Sequence, residues 1–368
     1  MIALWVPWYL GFTHVPTVLT PVIWHQHELL FGYVAAVIAG FLLTAVPSWT
    51  GRSPLSGFPL CMLFCLWLAG RVAVFCSEQT GFFAATLLSG AFLPVLAVLV
   101  LRELVAAHNT RNYKVLAIIA GLSASQIAFY YEAHRFGYVE LSNRFAIGFI
   151  ILLISVIAGR IIPAFTGNWL KKNNPALLPA PFGRFDLSTM MLSLVALILW
   201  VCAARLSEIA PLAGVASILA GILQLARQLR WAPHRTFAEP LVTILHVAFL
   251  FIPVGFLLTG IALLNHDPGL NSAGMHAWTT GAIGTMTLAV MTRATRGHSG
   301  RSLHAPASTV ILVYVPIIIA TTARISASII PDHTMLLLPL SGICWVIAFL
   351  GFAALYGPLL LRRPAPRG

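Results

Sequence analysis

Residues 21–49 read PVIWHQHELLFGYVAAVIAGFLLTAVPSW and contain a single carboxylate, Glu28, and no lysine or arginine. A run of about 20 apolar residues is long enough to cross the hydrocarbon core of a bilayer as an α-helix. The stretch also contains His25 and His27, and side chains of this kind are usually kept within a membrane for ligands, ion paths or cofactors. It therefore predicts a transmembrane helix with a polar site near its amino end.

The rest of the chain has the same character. Of the 368 residues, 59% are hydrophobic and 9% are charged, and the apolar runs are continuous rather than alternating. Only helices and closed barrels satisfy the backbone in lipid, and continuous runs favour helices. The composition excludes a soluble globule and predicts an all-α, polytopic transmembrane helical bundle of eleven spans. We place these at 21–49, 58–76, 82–104, 113–131, 144–166, 187–205, 211–231, 239–264, 273–293, 306–325 and 335–361.

The two ends of the chain differ from this pattern. Residues 1–20 are too short and too interrupted by Pro7 and Pro16 to span, and they predict an interfacial lead-in. Thr20 followed by Pro21 is a typical helix start, with threonine as the cap and proline in the first turn. A single transmembrane domain then covers residues 21–361. Residues 362–368 form a basic tail, which we expect in the cytoplasm.

Loop charges predict the orientation of the spans. The lysines and arginines concentrate in alternate loops, and the positive-inside rule places those loops in the cytoplasm. The amino terminus is then outside and the carboxyl terminus inside. The formal net charge of +12 needs no nucleic acid to explain it, because inside-loop cations facing anionic lipid account for most of it. These cations are Arg52, Arg102, Arg111, Lys114, Lys171, Lys172, Arg184, Arg227, Arg230, Arg235, Arg293, Arg296, Arg301, Arg362, Arg363 and Arg367.

A weak internal repeat is visible in two segments. Residues 47–51 (PSWTG) and 163–167 (PAFTG) each follow a Val-Ile-Ala-Gly run and close predicted spans one and five. If the repeat is real, its unit is four helices, and three such units need twelve, so this chain has one helix too few at its amino end. The alternative is that proline and glycine are used independently at two helix exits.

The first span contains the sharpest candidate site. At about 100° per residue, His25 and His27 point about 200° apart on an α-helix, so they cannot easily share one metal ion. Glu28 begins a row with Gly32, Ala36 and Gly40, whose small members let a helix or a flat macrocycle approach closely. The alternative is a pair of interfacial histidines that cap a packed helix.

The ninth predicted span, residues 273–293, is rich in small and hydroxyl side chains. Such a surface packs poorly against lipid, so we expect this helix in the interior of the bundle. His276 lies at its outer end, on the membrane side predicted for His25 and His27. Those three histidines and Glu28 can then form one outer constellation. The alternative for His276 is a structural histidine bonded to a backbone carbonyl.

Other candidates lie towards the inner side. His246 is about 10 Å into span eight and is either a satisfied core histidine or an axial haem ligand. His298 and His304 lie in an arginine-rich inner loop that can hold haem propionates or face lipid headgroups. Arg71 and Arg160 fall inside spans and need a partner, which is a carboxylate, a propionate or an anionic substrate.

Three stretches resemble the NnrS family. They are residues 24–33 (WHQHELLFGY), 40–52 (GFLLTAVPSWTGR) and 281–301 (GAIGTMTLAVMTRATRGHSGR), and the resemblance extends over nearly the whole chain. It implies a bacterial inner-membrane protein of about twelve helices that contains haem and copper and is associated with denitrification and relief of nitrosative stress. The family's first helix, with a Gly-Phe-Arg-Pro-Phe-Phe type of motif, is missing, so we expect the chain to begin in the loop after it.

The resemblance and the residues together predict a haem- and copper-binding protein that handles nitric oxide or limits its damage, with redox turnover as a hypothesis and an unidentified electron donor. Nitric oxide is small and apolar and reaches a buried metal through lipid. The competing hypothesis is a membrane carrier or assembly factor for a metal, haem or a nitrosylated small molecule. In the first hypothesis the metal ligands are His25, His27 and His276, the haem contacts are His246, His298, Arg71 and Arg160, and Glu28 supports a ligand or carries protons.

Overall fold

The computed structural model describes residues 1–173 and 178–361. Every regular element in these residues is helical, and no strand occurs among them. This confirms the all-α prediction. The predicted basic tail, residues 362–368, lies outside the described residues.

A short helix, α1 (Ile2–Tyr9), precedes a series of long ones. Between α3 and α4 the chain makes a single helical turn, Ser77–Thr80. α10 consists of three consecutive segments, Pro268–His276, Ala277–Gly284 and Thr285–His298. The other long helices are α2 (Pro21–Thr50), α3 (Phe58–Phe75), α4 (Phe82–Ala106), α5 (Thr110–Phe136), α6 (Leu141–Asn173), α7 (Arg184–Cys202), α8 (Ser207–Arg235), α9 (Pro240–Asn265), α11 (Ala307–Ile329) and α12 (Pro331–Leu361).

The described residues form ten helices that are long and apolar enough to cross a membrane, which confirms a polytopic helical membrane protein. They correspond to ten of the eleven predicted spans. The remaining prediction, residues 273–293, falls on α10, which is continuous but not among the ten. Its threonines and glycines lower its hydropathy, in agreement with its predicted interior position.

The chain divides into two compact units. Unit 1 is Met1–Leu153 and holds α1 to α5 with the beginning of α6. Unit 2 is Ile154–Gly368 and holds the rest of α6 and all later helices. His25 and His27 belong to unit 1, whereas His246 and His276 belong to unit 2.

The two segments of the predicted repeat have different structures. Thr20 precedes α2 with an extended backbone and Pro21 is in the first turn, as predicted, but the Thr20 side chain makes no capping hydrogen bond. α2 ends at Thr50, and Gly51 takes the left-handed conformation with φ 69°. By contrast, Pro163 lies inside α6, which continues to Asn173, so the predicted helix exit at residues 163–167 is wrong. In a membrane, neighbouring groups can satisfy the carbonyl that an internal proline leaves free, and the helix continues.

Backbone contact between α8 and α9 organises unit 2. A methyl group in place of the Gly214 hydrogen would lie 2.9 Å from the carbonyl oxygen of Gly260, and one on Gly260 would lie 2.8 Å from the carbonyl oxygen of Gly214. Small residues let membrane helices approach this closely, and the packing gained stabilises their association. The two helices therefore depend on glycine at both positions.

Replacing Gly214 by alanine should lower the stability of the protein by about 1–3 kcal/mol, because the added methyl group forces the two backbones apart. Gly148→Ala is the matched control, since Gly148 is also helical and nothing lies within 4 Å of its added methyl group. Unfolding of both variants in a denaturing detergent, followed by circular dichroism, measures the difference. Equal unfolding midpoints for Gly214→Ala and Gly148→Ala would contradict the close approach of the α8 and α9 backbones.

α10 is an interior helix of unit 2, as predicted. Trp278 is fully buried, its ring centroid is 5.1 Å from that of Trp200 and 5.0 Å from that of Phe256, and its indole N–H donates to the Ile252 carbonyl at 3.0 Å. A methyl group on Gly255 would overlap the Trp278 ring. The indole thus fits a notch in α9 that only glycine leaves open.

Candidate functional site

α2 changes its winding directly after His27. Residues Glu28–Val34 form a π-helical segment between two α-helical stretches. Such segments appear mostly as single turns within α-helices and are frequent at functional sites. The sequence places His27 and Glu28 at the junction, so the change in winding and the candidate site coincide.

His27 is fully buried, and both of its ring nitrogens have protein partners. Nδ1 is 3.0 Å from Oε1 of Glu28, and Nε2 is 2.6 Å from the Tyr130 hydroxyl. A neutral imidazole fits this arrangement, with Nδ1–H donating to the carboxylate and the phenol O–H donating to Nε2. His27 is therefore part of a hydrogen-bond network, and its role as a metal ligand stays a prediction that requires Tyr130 or Glu28 to move.

Arg71 of α3 completes this network. Its Nη1 donates to Oε1 of Glu28 and its Nη2 donates to the Ser89 hydroxyl. Of the three predicted kinds of partner, the structure places a carboxylate beside Arg71. The Gln126 amide also donates to the Ser89 hydroxyl, at 3.2 Å. Ionic and polar groups of four helices thus meet in the interior of unit 1.

The close approach predicted along α2 occurs at one position of the row. A methyl group on Gly32 would overlap the Arg71 guanidinium, and the Trp67 indole donates to the Gly32 carbonyl at 2.9 Å. Gly40 is exposed, with nothing within 4 Å of an added methyl group. A row at a spacing of four drifts about 40° per step around the helix, so it leaves the packed face before Gly40.

His25 faces a different environment from His27. Its ring stacks on Trp5 of α1, with centroids 3.9 Å apart and planes at 21°. The predicted divergence of the two histidines agrees with these separate partners. Contact with α1 also agrees with the alternative in which an interfacial histidine packs at a helix start.

His276 has the same position in α10 that His27 has in α2. It is the last residue before a π-helical segment, Ala277–Gly284. Its Nδ1 is 2.7 Å from the Ser272 carbonyl oxygen, to which an Nδ1–H donates. This is the backbone bond of the structural alternative. It is also the bond that metal-binding histidines usually make through their second nitrogen, because it fixes the tautomer that leaves the lone pair on Nε2.

His246 of α9 is buried, with 3% of its surface exposed. Its Nε2 is 2.9 Å from the Thr166 hydroxyl, and the Gln228 amide donates to its backbone carbonyl. Nδ1 has no hydrogen-bond partner among the described residues. A buried polar atom without a partner is costly, so this nitrogen suits a group that is not part of the chain.

The two histidines predicted in the inner loop, His298 and His304, have different surroundings. His298 is exposed and forms the last residue of α10 rather than part of a loop. His304 Nδ1 lies 2.8 Å from Oε2 of Glu239, a buried residue whose Oε1 also accepts the Leu241 N–H at the start of α9. His298 and His304, which were predicted to share a loop that holds propionates or faces lipid headgroups, therefore lie in different settings, and His304 has a carboxylate partner.

Unit 2 contains a buried ion pair that the sequence did not predict. Arg227 was counted as an inner-loop cation, but it is 1% exposed and its Nε donates to Oδ1 of Asp186 at 3.2 Å. Its Nη1 faces the carbonyl oxygen of Ser155, and a methyl group on Gly159 would overlap its Nη2. A signal was present in the sequence, since Asp186 is the only carboxylate in residues 141–207. Arg160, beside this glycine, is half-buried in α6.

The described residues contain no assembled metal site built from three or more side chains. Residues 1–173 and 178–361 contain no group of three or more histidine, cysteine, aspartate or glutamate side chains placed to hold a metal ion. The outer constellation of His25, His27, His276 and Glu28 therefore stays a prediction.

One family model matches this chain. It is described as NnrS protein and covers residues 1–363, essentially the full length. The match includes all three stretches that resemble the family. No protein with a curated description matches the chain.

Proposed function

The chain belongs to the NnrS family, and we propose on that basis that it is a bacterial inner-membrane protein that binds haem and handles nitric oxide or limits nitrosative damage. One observation supports a ligand-binding role above all. His27 and His276, which were singled out from the sequence, each directly precede a π-helical segment. Two of the three π-helical segments in the described residues follow such a histidine, the third being Val310–Tyr314 in α11, and this favours functional positions over helix capping.

The donors fit haem. A porphyrin supplies four of the iron ligands, so the protein needs to provide only one or two axial side chains. His246 is buried with a ring nitrogen that has no partner among the described residues, and His276 has its Nδ1–H fixed on a carbonyl. Either histidine would hold the haem through a ring nitrogen. Bound haem supplies nitric oxide binding and one-electron chemistry, which side chains lack.

The histidine side chains fit copper less well than haem. Protein copper sites usually take three or more nitrogen or sulfur ligands, and no such group occurs in the described residues. His27 has both nitrogens engaged. Residues 1–173 and 178–361 therefore hold no assembled site for the copper that the family resemblance implies, and the proposed function rests on haem.

The buried network of unit 1 can hold and pass a proton. The Tyr130 hydroxyl, the His27 ring and the Glu28 carboxylate form a continuous hydrogen-bonded line. Reduction of nitric oxide consumes protons as well as electrons, and a hydrogen-bonded line of this kind can relay protons within an apolar interior. Arg71 pairs with the Glu28 carboxylate and holds it in place. Redox turnover, its electron donor and the predicted orientation are parts of this proposal.

His276→Ala is expected to lower the haem content of the purified protein by at least about tenfold, with expression and membrane insertion unchanged. His333→Ala is the control, because His333 is exposed. The pyridine haemochrome spectrum of each variant measures the haem, and the shift of the reduced spectrum on adding nitric oxide shows whether it is accessible.

An unchanged haem content in both His276→Ala and His246→Ala would remove these histidines from the site. If the purified protein contains haem but consumes no nitric oxide with any electron donor, the redox-turnover hypothesis is wrong and a binding or sensing role replaces it. A wild-type protein that releases its metal or haem to a mild chelator would favour the carrier hypothesis.

A further inference from the structure

A cavity of about 560 Å³ lies in unit 1 at the carboxyl end of α2. Its volume is within the range of about 300–1,000 Å³ that small-molecule sites occupy. α2, α4 and the segment of residues 51–56 line it, and the residues that line it include no histidine. The cavity is therefore distinct from the site around His27.

The floor of the cavity is apolar. Leu42 and Val46 of α2 and Val100 of α4 are buried side chains that line it. Leu43 and Leu99 add half-buried surface. Transfer of hydrocarbon from water onto such a surface is favourable. This side of the cavity can take an alkyl chain, whereas Thr50, Ser53 and Ser56 make other parts of the lining polar.

The arginines at the mouth of the cavity have several N–H groups that bind no protein acceptor among the described residues. Oε2 of Glu103 accepts from Nε of Arg52, and Oε1 accepts from Nε and Nη2 of Arg102 at 3.0 and 2.7 Å. Both carboxylate oxygens are thus engaged, while both Nη atoms of Arg52 and Nη1 of Arg102 make no hydrogen bond among the described residues. Two arginines and one glutamate leave a net charge of +1 at the mouth.

The segment across the mouth has a defined conformation. Gly51 (φ 69°) and Gly57 (φ 65°) both have left-handed backbone conformations that other residues rarely adopt. The Asn109 amide donates to the Trp49 carbonyl at 2.6 Å and ties the end of α2 to the chain after α4. Arg52 is therefore held near Glu103 by the backbone on either side.

We propose that this cavity binds one anionic phospholipid, with an acyl chain on the apolar floor and the phosphate on the free nitrogens of Arg52 and Arg102. Phosphate oxygens match the arginine fork, and the net positive charge favours an anion over a zwitterion. The end of a membrane span is also where lipid headgroups lie. The proposal is independent of haem and of nitric oxide.

Native mass spectrometry of the delipidated full-length protein tests the proposal. Titration with phosphatidylglycerol should load one lipid per chain and raise the thermal midpoint, whereas phosphatidylcholine and inorganic phosphate should bind more weakly. Arg52→Gln should weaken phosphatidylglycerol binding roughly fivefold, as expected for one basic residue near an anionic surface. Arg111→Gln is the control, because Arg111 is exposed and does not line the cavity.

A second variant tests the proposal even if Arg52→Gln does not fold. Leu43→Trp fills the floor and leaves the arginines in place, so it should abolish lipid loading. Equal affinity for phosphatidylglycerol and phosphatidylcholine would overturn the proposal, as would equal weakening by Arg52→Gln and Arg111→Gln. If inorganic phosphate raises the thermal midpoint as much as phosphatidylglycerol does, the cavity is a phosphate site and the proposal is overturned.

Discussion

Replacing Arg227 by methionine is expected to lower the free energy of unfolding by about 3–5 kcal/mol, because it leaves the buried Asp186 carboxylate without its main partner. Asp186 is also 3.7 Å from Nη2 of Arg230, but that side chain is one-third exposed and is the weaker partner. Unfolding midpoints of purified protein in a denaturing detergent measure the loss. Arg230→Met is the matched control and should cost about 1 kcal/mol or less.

The double variant Asp186→Asn, Arg227→Met identifies the cause of the loss. Removing both charges should recover much of the stability, because no uncompensated charge then remains in the interior. A double variant as unstable as Arg227→Met alone would mean that the loss comes from other contacts of the arginine. The leading alternative is the cation–π contact with Trp231, whose ring centroid lies 5.1 Å from the Arg227 guanidinium.

Replacing Trp278 by alanine should cost about 3–5 kcal/mol, through lost apolar burial and the cavity left behind. Trp278 is in the π segment next to His276 and fills the notch at Gly255. The variant should therefore also lower haem content if His276 holds the haem. Phe237→Ala is the control, because this aromatic side chain in unit 2 is 73% exposed.

Two measurements separate the outcomes for Trp278→Ala. Thermal unfolding reports the loss of packing, and the pyridine haemochrome spectrum reports the retention of haem. A stability equal to that of Phe237→Ala would contradict the buried position of the indole. Lower stability with full haem content would separate this core from the proposed haem site.

The spans and the interior helix could be predicted because they depend on local composition. Long apolar runs located ten helices that are long and apolar enough to cross a membrane, with each end predicted to within seven residues. The small and hydroxyl side chains of residues 273–293 identified α10 as interior. The different directions of His25 and His27 followed from helix geometry alone. These features need no information about partners elsewhere in the chain.

The side-chain networks could not be predicted, because their members are distant in sequence. Tyr130 lies 103 residues from His27, and Asp186 lies 41 residues from Arg227. Helical periodicity gives the direction of a side chain but not the helix that it meets. The π segments were missed for a related reason, since the predictions assumed uniform α-helical spacing through α2 and α10.

The π segments have a consequence for how these helices tolerate insertions and deletions. Removing one residue from an α-helix rotates everything beyond it by about 100° and turns its packed face towards lipid. A π turn already accommodates an extra residue, so a deletion within Glu28–Val34 or Ala277–Gly284 would return the helix to α winding and keep the distal face in register. In α2 and α10, removal of one residue from the π segment should therefore alter the surroundings of the histidine and preserve the packing of the rest of the helix.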